Sequence, residues 1–475
     1  MKRTKIVCTI GPASDKKTTL EKMIKAGMDV ARLNFSHGTY KSHALLIRNI
    51  RAIAKKIDRP VAILADLQGP RVRVGELPER GIKLKEKKEV VLTTQTEKMV
   101  DNRIPVTYRN LHKDIKKGDI ILLDDGLLDV RVQKVKGRDI FCRVKTGGKL
   151  ISHKGINVPT ATLSIPSITK KDKQDLEFAI KHDADWVAMS FVKTKEDILY
   201  LKRLIKRLEN KYNTKEPART IAKIEKHEAV KNFDSILEVV DGVMVARGDL
   251  GIETPIEDVP LVQKMIIQKC LAKAKPVITA TQMLLSMVEK PRPTRAEVSD
   301  VANAVIDHTD CVMLSQESAV GKYPVETVRT MTEIIQDTEE SPFDDLILRN
   351  LIGQVLPVDT AVSSAATRLA RSTGAKAIVV ATISGYTARI VSRYRPELPI
   401  VITAASEKVR RQLAMSWGVI PYVIPKCKTV DELIAKVVRK AVQKKVIRKE
   451  DKIIIIGGQP VGRSGNVNLV KIHQV

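Results

Sequence analysis

Aromatic residues are scarce in this chain of 475 residues: six Phe, eight Tyr and two Trp make up 3% of it. Its cores must therefore be aliphatic, packed from Ile, Val, Leu and Ala. Long apolar runs are also missing. No uninterrupted stretch approaches the ~20 residues of a membrane-spanning helix, which argues against a membrane protein. The opening Met1-Lys2-Arg3-Thr4 runs straight into a strand-like segment without the apolar stretch of a signal peptide, so a cytoplasmic location is expected. Cysteines number only five, far apart and with no Cys-x-x-Cys pair, which speaks against a disulfide framework. Cys8, Cys142, Cys270 and Cys311 each lie in an apolar stretch and read as small buried hydrophobes.

Positive charge is abundant, at a formal net +28. A balance of that size invites a nucleic-acid reading. The basic residues are dispersed, however, and often sit beside acidic ones, as in Lys193-Thr194-Lys195-Glu196-Asp197. No aromatic residues interleave with them as base-stacking would require. Solvated helix faces and a site for an anionic substrate explain the charge, and no nucleic-acid partner is expected.

The length suits about three domains. Short β-branched runs alternate with amphipathic helical patterns over the first long region. Strands are predicted over 5–10, 30–35, 61–67, 186–191, 220–225, 242–247, 277–281 and 311–315. Helical spacing follows them, for example over 45–57, 198–208 and 261–274. Nearly continuous apolar strands alternating with helices imply a parallel sheet covered on both faces, and about eight such units imply a closed (β/α)8 TIM barrel. The rhythm breaks after Leu67. From Gly69 to about Ile165 there are short alternating runs, with Lys136-Gly137-Arg138 as a hairpin turn, and no convincing amphipathic helix. Thr169-Lys170-Lys171-Asp172 then reads as a capping box that restarts the helices. After about Ser341 a second α/β region begins, with strands predicted over 377–382, 400–404, 421–424 and 452–456 and an edge strand over 468–473. The expected division is a barrel over 1–68 and 167–340, an inserted all-β domain over 69–166, and a C-terminal α/β domain over 341–475.

The predicted barrel strands end in polar residues. Strand two ends Arg32-Leu33-Asn34-Phe35-Ser36, strand three carries Asp66, and strand five ends Lys223-Ile224-Glu225. Strand six ends Arg247-Gly248-Asp249, strand seven Thr279-Ala280-Thr281, and strand eight runs into Ser315-Gln316-Glu317. Side chains two apart on a strand share a face, so Arg32 with Asn34, and Lys223 with Glu225, point into one space. Each residue alone has an ordinary structural reading, as a salt bridge, a turn or a satisfied hydroxyl. Gathering several cations and carboxylates in one mouth without purpose is costly in desolvation. The set suits phosphoryl transfer. Glu225 and Asp249 are hard oxygen ligands for magnesium, Arg32 and Lys223 can hold phosphoryl oxygens, and the amides at 247–249 can receive a carboxylate.

Longer motifs carry a family resemblance. Thr4-Lys5-Ile6-Val7-Cys8-Thr9-Ile10-Gly11-Pro12, the stretch VARLNFSHG over 30–38, Lys223-Ile224-Glu225, VARGDLG over 245–251, ATQML, and KPRPTRAEVSDVANAV over 290–305 resemble the pyruvate kinases along the whole chain. The resemblance implies transfer of the phosphoryl group of phosphoenolpyruvate to ADP, the last step of glycolysis, with magnesium or manganese as cofactor. It implies that Lys223 stabilises the phosphoryl group, Arg32 orients it, and Glu225 and Asp249 hold the metal. Gly248 and Thr281 would contact substrate, Thr281 near the face where the enolate is protonated. Nucleotide contacts map to Asn34, His37, Arg73 and Lys171. The inserted domain would be a lid, and a homotetramer is expected.

Two departures stand out. Where potassium-dependent members read Asp-Thr-Lys-Gly-Pro-Glu, this chain reads Asp66-Leu67-Gln68-Gly69-Pro70-Arg71. A potassium set of Asn34, Ser36, Asp66 and Leu67 thus lacks the Thr hydroxyl. Arg71 replaces the accompanying carboxylate, which suggests a potassium-independent or archaeal-type member. Gln316 stands where the family usually has Gly. In the C-terminal region, Thr382, Ser384, Gly385 and Thr387 precede a helix and read either as a plain turn or as a site for a phosphorylated effector. Two other readings remain: Lys223 as a Schiff-base lysine of an aldolase, and a basic RNA-binding protein.

Overall fold

The computed structural model describes residues 2–344, 356–382, 384–425, 427, 429–458 and 467–475. Eight parallel strands close into a barrel in chain order: β1 (Lys5–Thr9), β2 (Met28–Asn34), β3 (Ala62–Asp66), β4 (Trp186–Met189), β5 (Arg219–Ile224), β6 (Gly242–Ala246), β7 (Val277–Ala280) and β8 (Cys311–Leu314). Nearly every strand residue is buried. One face fills the bore with Val7, Val30, Leu64, Trp186, Ile221, Met244, Ile278 and Met313; the other packs on the helical ring. Burial on both faces explains why the strands read as apolar runs without alternation. The helices Tyr40–Lys56 and Lys195–Lys211 begin earlier than the predicted 45–57 and 198–208, and only the second also ends later. The Thr169/Asp172 and Thr294/Glu297 capping boxes are both formed.

Between β3 and the helix Lys170–Lys181 lies the β insert. Its main sheet has six strands, including the hairpin Leu128–Lys136 and Asp139–Thr146, with Gly137 at φ 59 in the turn. Sequence periodicity misses its shortest strands, such as Ile82–Leu84 and Ile156–Asn157, because two or three residues carry no measurable alternation. A four-residue helix, Leu111–Asp114, also interrupts it. The insert has its own aliphatic core around Val74, Leu92, Ile121, Val130 and Ile140.

The C-terminal sheet orders β9 (Ala377–Ala381), β10 (Ile400–Ala404), β11 (Val419–Val423), β12 (Lys452–Gly457) and β13 (Leu469–Gln474) as 11-10-9-12-13, with β13 antiparallel at the edge. Residues 345–355, within the junction expected after Ser341, lie outside those described. This sheet's domain plugs the N-terminal end of the barrel. Ala414 and Met415 enter the bore cluster. Trp186 Nε1 donates to the Gln412 carbonyl at 3.3 Å, Lys5 Nζ donates to the Val419 carbonyl at 3.0 Å, and Arg411 pairs with the buried Asp185 at 2.8 Å. With one end plugged, the other carries the polar strand termini.

Candidate active site at the barrel mouth

β2 and β3 run in a register that sets Asn34 beside Asp66. Arg32, two residues earlier on the same face, reaches Asp66: Nε donates to Oδ2 at 2.7 Å and Nη2 lies 2.6 Å from the same oxygen. Its Nη1 donates to Thr9 Oγ1 at 2.8 Å. Across the mouth, Lys223 Nζ lies 2.7 Å from Glu225 Oε1 and 3.6 Å from Asp66 Oδ1, and donates to Ser190 Oγ at 2.8 Å. The Phe191 N–H donates to Glu225 Oε2 at 2.7 Å. Asp66, Lys223 and Glu225 are all buried. Three strand ends thus bring four charges into one alternating chain.

The electrostatics follow from that packing. Burial pulls the Lys223 ammonium down, but Asp66 and Glu225 outweigh it, and its net direction is up. Burial pushes Asp66 up, yet Lys223 and Arg32 hold it below the usual carboxylate range. Glu225 goes the other way. Burial raises it against the pull of Lys223, and the nearby Asp249 charge raises it further. Two carboxylates that repel each other, with the Lys223 ammonium 2.7 Å from Glu225 Oε1, make a donor set that a hard divalent cation would satisfy.

β6 ends one residue earlier than predicted, and Arg247 begins the helix Arg247–Glu253. Asp249 therefore sits in the first turn of a helix, half-buried, with Arg71 Nη2 3.8 Å from its Oδ1. β7 also stops early, at Ala280. Thr281 and Gln282 adopt φ of 72 and 57, a conformation that a β-branched residue rarely takes. The turn is held from outside. Arg247 is clamped by Asp300 at 2.6 and 2.7 Å and donates to the carbonyls of Ala280 and Thr281 at 3.2 and 2.7 Å. The Gly248 N–H donates to Thr281 Oγ1 at 2.8 Å. Strain over-determined in this way is characteristic of functional sites.

The other predicted residues divide into near and far. Asn34 Oδ1 accepts from the Ser36 N–H at 3.1 Å, the Leu67 carbonyl accepts from Ser190 Oγ at 2.7 Å, and Lys171 Nζ donates to the Phe35 carbonyl at 2.7 Å. These border the mouth, with His37 exposed just beyond β2. Arg73 is in the β insert, where its guanidinium donates to the His153 carbonyl at 2.8 Å. Thr382, Ser384, Gly385 and Thr387 lie at the opposite end of the barrel. There the Gly385 N–H donates to Thr382 Oγ1 at 3.0 Å, and Arg219, the first residue of β5, donates to the Ser384 carbonyl at 2.7 Å. Sequence reading missed Thr9, Ser190 and Arg71's contact with Asp249. The first two follow the rule that found the others, being polar residues at or just past a strand end.

Between mouth and insert lies a cleft lined among others by Arg71, Asp125, Asn157, Lys193, Lys226 and Asp249. A closed barrel with buried cations, carboxylates and an insert over its mouth has the makings of a phosphotransferase. Comparison with known proteins specifies which. Residues 1–328 match the family "Pyruvate kinase, barrel domain" and residues 360–473 match "Pyruvate kinase, alpha/beta domain". The chain is 42% identical over 477 residues to a pyruvate kinase of Clostridium acetobutylicum, covering 100% of both. It is 43% identical to that of Geobacillus stearothermophilus, with 100% of this chain matching 80% of the longer relative. The crystal structure of a pyruvate kinase from Cryptosporidium parvum superposes with a TM-score of 0.92 at 36% identity, over 100% of this chain and 96% of that one. The chain belongs to the pyruvate kinase family. It is a phosphotransferase, and its reaction moves the phosphoryl group of phosphoenolpyruvate to ADP, giving pyruvate and ATP. The family uses a divalent metal, typically magnesium. Among the described residues no helix is long and apolar enough to cross a membrane.

Proposed function

We propose that the mouth carries the reaction with Lys223, Arg32 and Thr281 as catalytic residues and Glu225 and Asp249 as the magnesium ligands. The carrying observation is the Lys223 ammonium, buried and held between Glu225, Asp66 and Ser190. Its raised pKa keeps it charged at neutral pH, so it can follow the phosphoryl oxygens as charge redistributes. Arg32, fixed by Asp66 and Thr9, presents a planar fork to the same oxygens. A bound magnesium ion would supply Lewis-acid polarisation of substrate oxygens. The 247–249 turn and Thr281 are positioned for the substrate carboxylate and the enolate face. The β insert, whose Asn157 Nδ2 donates to Glu253 Oε1 at 2.8 Å, serves as a lid that excludes water. Asn34, His37, Arg73 and Lys171 are assigned to the nucleotide; for Arg73 this requires lid movement away from the His153 carbonyl. The test is a coupled assay of wild type against Lys223→Met. Loss of at least about 10²-fold in kcat with the fold retained is expected; a variant that keeps most of its turnover refutes the assignment.

We also infer that activity is independent of potassium. Three members of the potassium set are engaged: Asp66 by Arg32 and Lys223, the Leu67 carbonyl by Ser190, and Asn34 by the Ser36 amide. Arg71 adds a cation beside Asp249. The relatives from Clostridium and Geobacillus are bacterial, so the inference carries no archaeal affiliation. Turnover in sodium-only and potassium buffers should agree within about twofold, whereas strong potassium activation would overturn it. We further propose a cytoplasmic homotetramer divided as 1–68 with 167–340, 69–166 and 341–475, testable by sedimentation. The C-terminal domain would bind a phosphorylated effector at Thr382, Ser384, Gly385 and Thr387; unchanged kinetics across a panel of sugar phosphates and nucleotides would count against that.

A further inference from the structure

Three buried side-chain atoms that lack a hydrogen-bond partner face one another just outside the mouth: His227 Nδ1, Glu228 Oε2 and Glu253 Oε2. All three lie within 4.8 Å of one another. His227 Nδ1 is 3.2 Å from Glu228 Oε2 and 3.9 Å from Glu253 Oε2. The Glu253 side chain is only 1% exposed. Its other oxygen, Oε1, already accepts from the Lys226 ammonium at 3.0 Å and the Asn157 amide at 2.8 Å, which leaves Oε2 aimed at the imidazole and the second carboxylate.

One orphaned buried acceptor costs about 1–3 kcal/mol, so with Nδ1 unprotonated all three converging atoms are acceptors and require an occupant, a proton on Nδ1 or a cation. With a neutral imidazole, Glu228 and Glu253 against Lys226 leave one uncompensated negative charge. One nitrogen and two carboxylate oxygens form a donor set for zinc, manganese or cobalt, whereas magnesium prefers oxygen alone. We propose that His227, Glu228 and Glu253 bind a divalent transition-metal ion at a second site, separate from the Glu225–Asp249 pair. The placement gives that ion a task. His227 and Glu228 follow Glu225 by two and three residues, and Glu253 ends the helix that carries Asp249. An ion shared among them ties together the two segments that bear the carboxylate pair, and Asn157 links the same point to the β insert. This positioning role rests on the assignment of Glu225 and Asp249 above; the existence of the site does not.

Pulsed electron spin-echo spectroscopy separates the two sites. Metal-free full-length protein receives one equivalent of Mn2+ without nucleotide and with excess Mg2+ to fill the all-oxygen pair. The expected result is ¹⁴N modulation from a coordinated imidazole, which Glu225 and Asp249 cannot supply. His227→Ala should abolish the modulation while the circular dichroism spectrum stays unchanged, and Glu253→Gln should weaken Mn2+ binding at this site at least tenfold. No ¹⁴N modulation in the wild type overturns the proposal and leaves a proton on His227 as the occupant; modulation that persists in His227→Ala overturns it too. Should either variant fail to fold, loss of the wild-type signal on adding Zn2+, with no signal in the absence of protein, decides the matter, and a signal indifferent to Zn2+ counts against the site. These outcomes are independent of the Lys223→Met assay, so the second site and the catalytic assignment can fail separately.

Discussion

Replacing Asp66 by Asn removes one charge and almost no volume from the most crowded point of the mouth. Asp66 is 1% exposed and faces two cations, Arg32 at 2.6 Å and Lys223 at 3.6 Å. At an effective dielectric constant of about 20, those separations correspond to roughly 6 and 5 kcal/mol of gross attraction. Most of that offsets the desolvation of the three groups. The Asn amide oxygen can still accept from Arg32, but Lys223 keeps only Glu225 as a charged partner. Removing one member of a buried ion cluster typically costs about 3–5 kcal/mol, and we expect a loss in that range in urea titrations. Kinetics provide the sharper reading. Asp66 is the leading group that raises Lys223 against the pull of burial, so its loss lowers the Lys223 pKa. The alkaline limb of the kcat/KM profile should then move to lower pH, with the plateau down by about 10²–10³-fold as the phosphoryl clamp loosens. Glu97→Gln serves as the control. Its carboxylate pairs with Arg109 at 2.9 Å with both side chains largely exposed, where a loss within about 1 kcal/mol is expected. A D66N enzyme with stability and alkaline limb both within error of wild type would refute the reasoning about this cluster.

Acid stability should depend on Asp29, whose pKa is lowered to about 2 because Lys2, Arg59 and Lys5 outweigh its burial. A carboxyl depressed on folding contributes stability that is complete above its unfolded pKa and is lost as pH falls through the folded value. The wild type should therefore lose about 2 kcal/mol more than Asp29→Asn between about pH 5 and pH 2, and parallel pH profiles would contradict this. Gly69 has φ 72, and an added Cβ would lie 2.8 Å from the Phe191 ring and 3.0 Å from Ser190 Cβ. Gly69→Ala should cost about 1–2 kcal/mol for the left-handed backbone. It should also raise the magnesium concentration for half-activation several-fold, because the Phe191 N–H orients Glu225; an unchanged metal requirement would show that the two are not linked.

Sequence alone determined the local elements and the order of the barrel, because strands buried on both faces must be apolar throughout and helices on one face must repeat every three or four residues. It also located the carboxylates and cations at strand ends, since the two-residue period of a strand is a local property. Tertiary structure decided where those periods stop. The early ends of β6 and β7 come from Arg247, clamped by Asp300, a residue 53 positions away whose pairing no local pattern reveals. It also decided which charges meet: Asp66 and Lys223 are 157 residues apart and share one pocket only because the barrel closes. Even the convergence of His227, Glu228 and Glu253 depends on a helix returning to the end of β5. Chain folding, not spacing along the chain, sets the distances at which charges act.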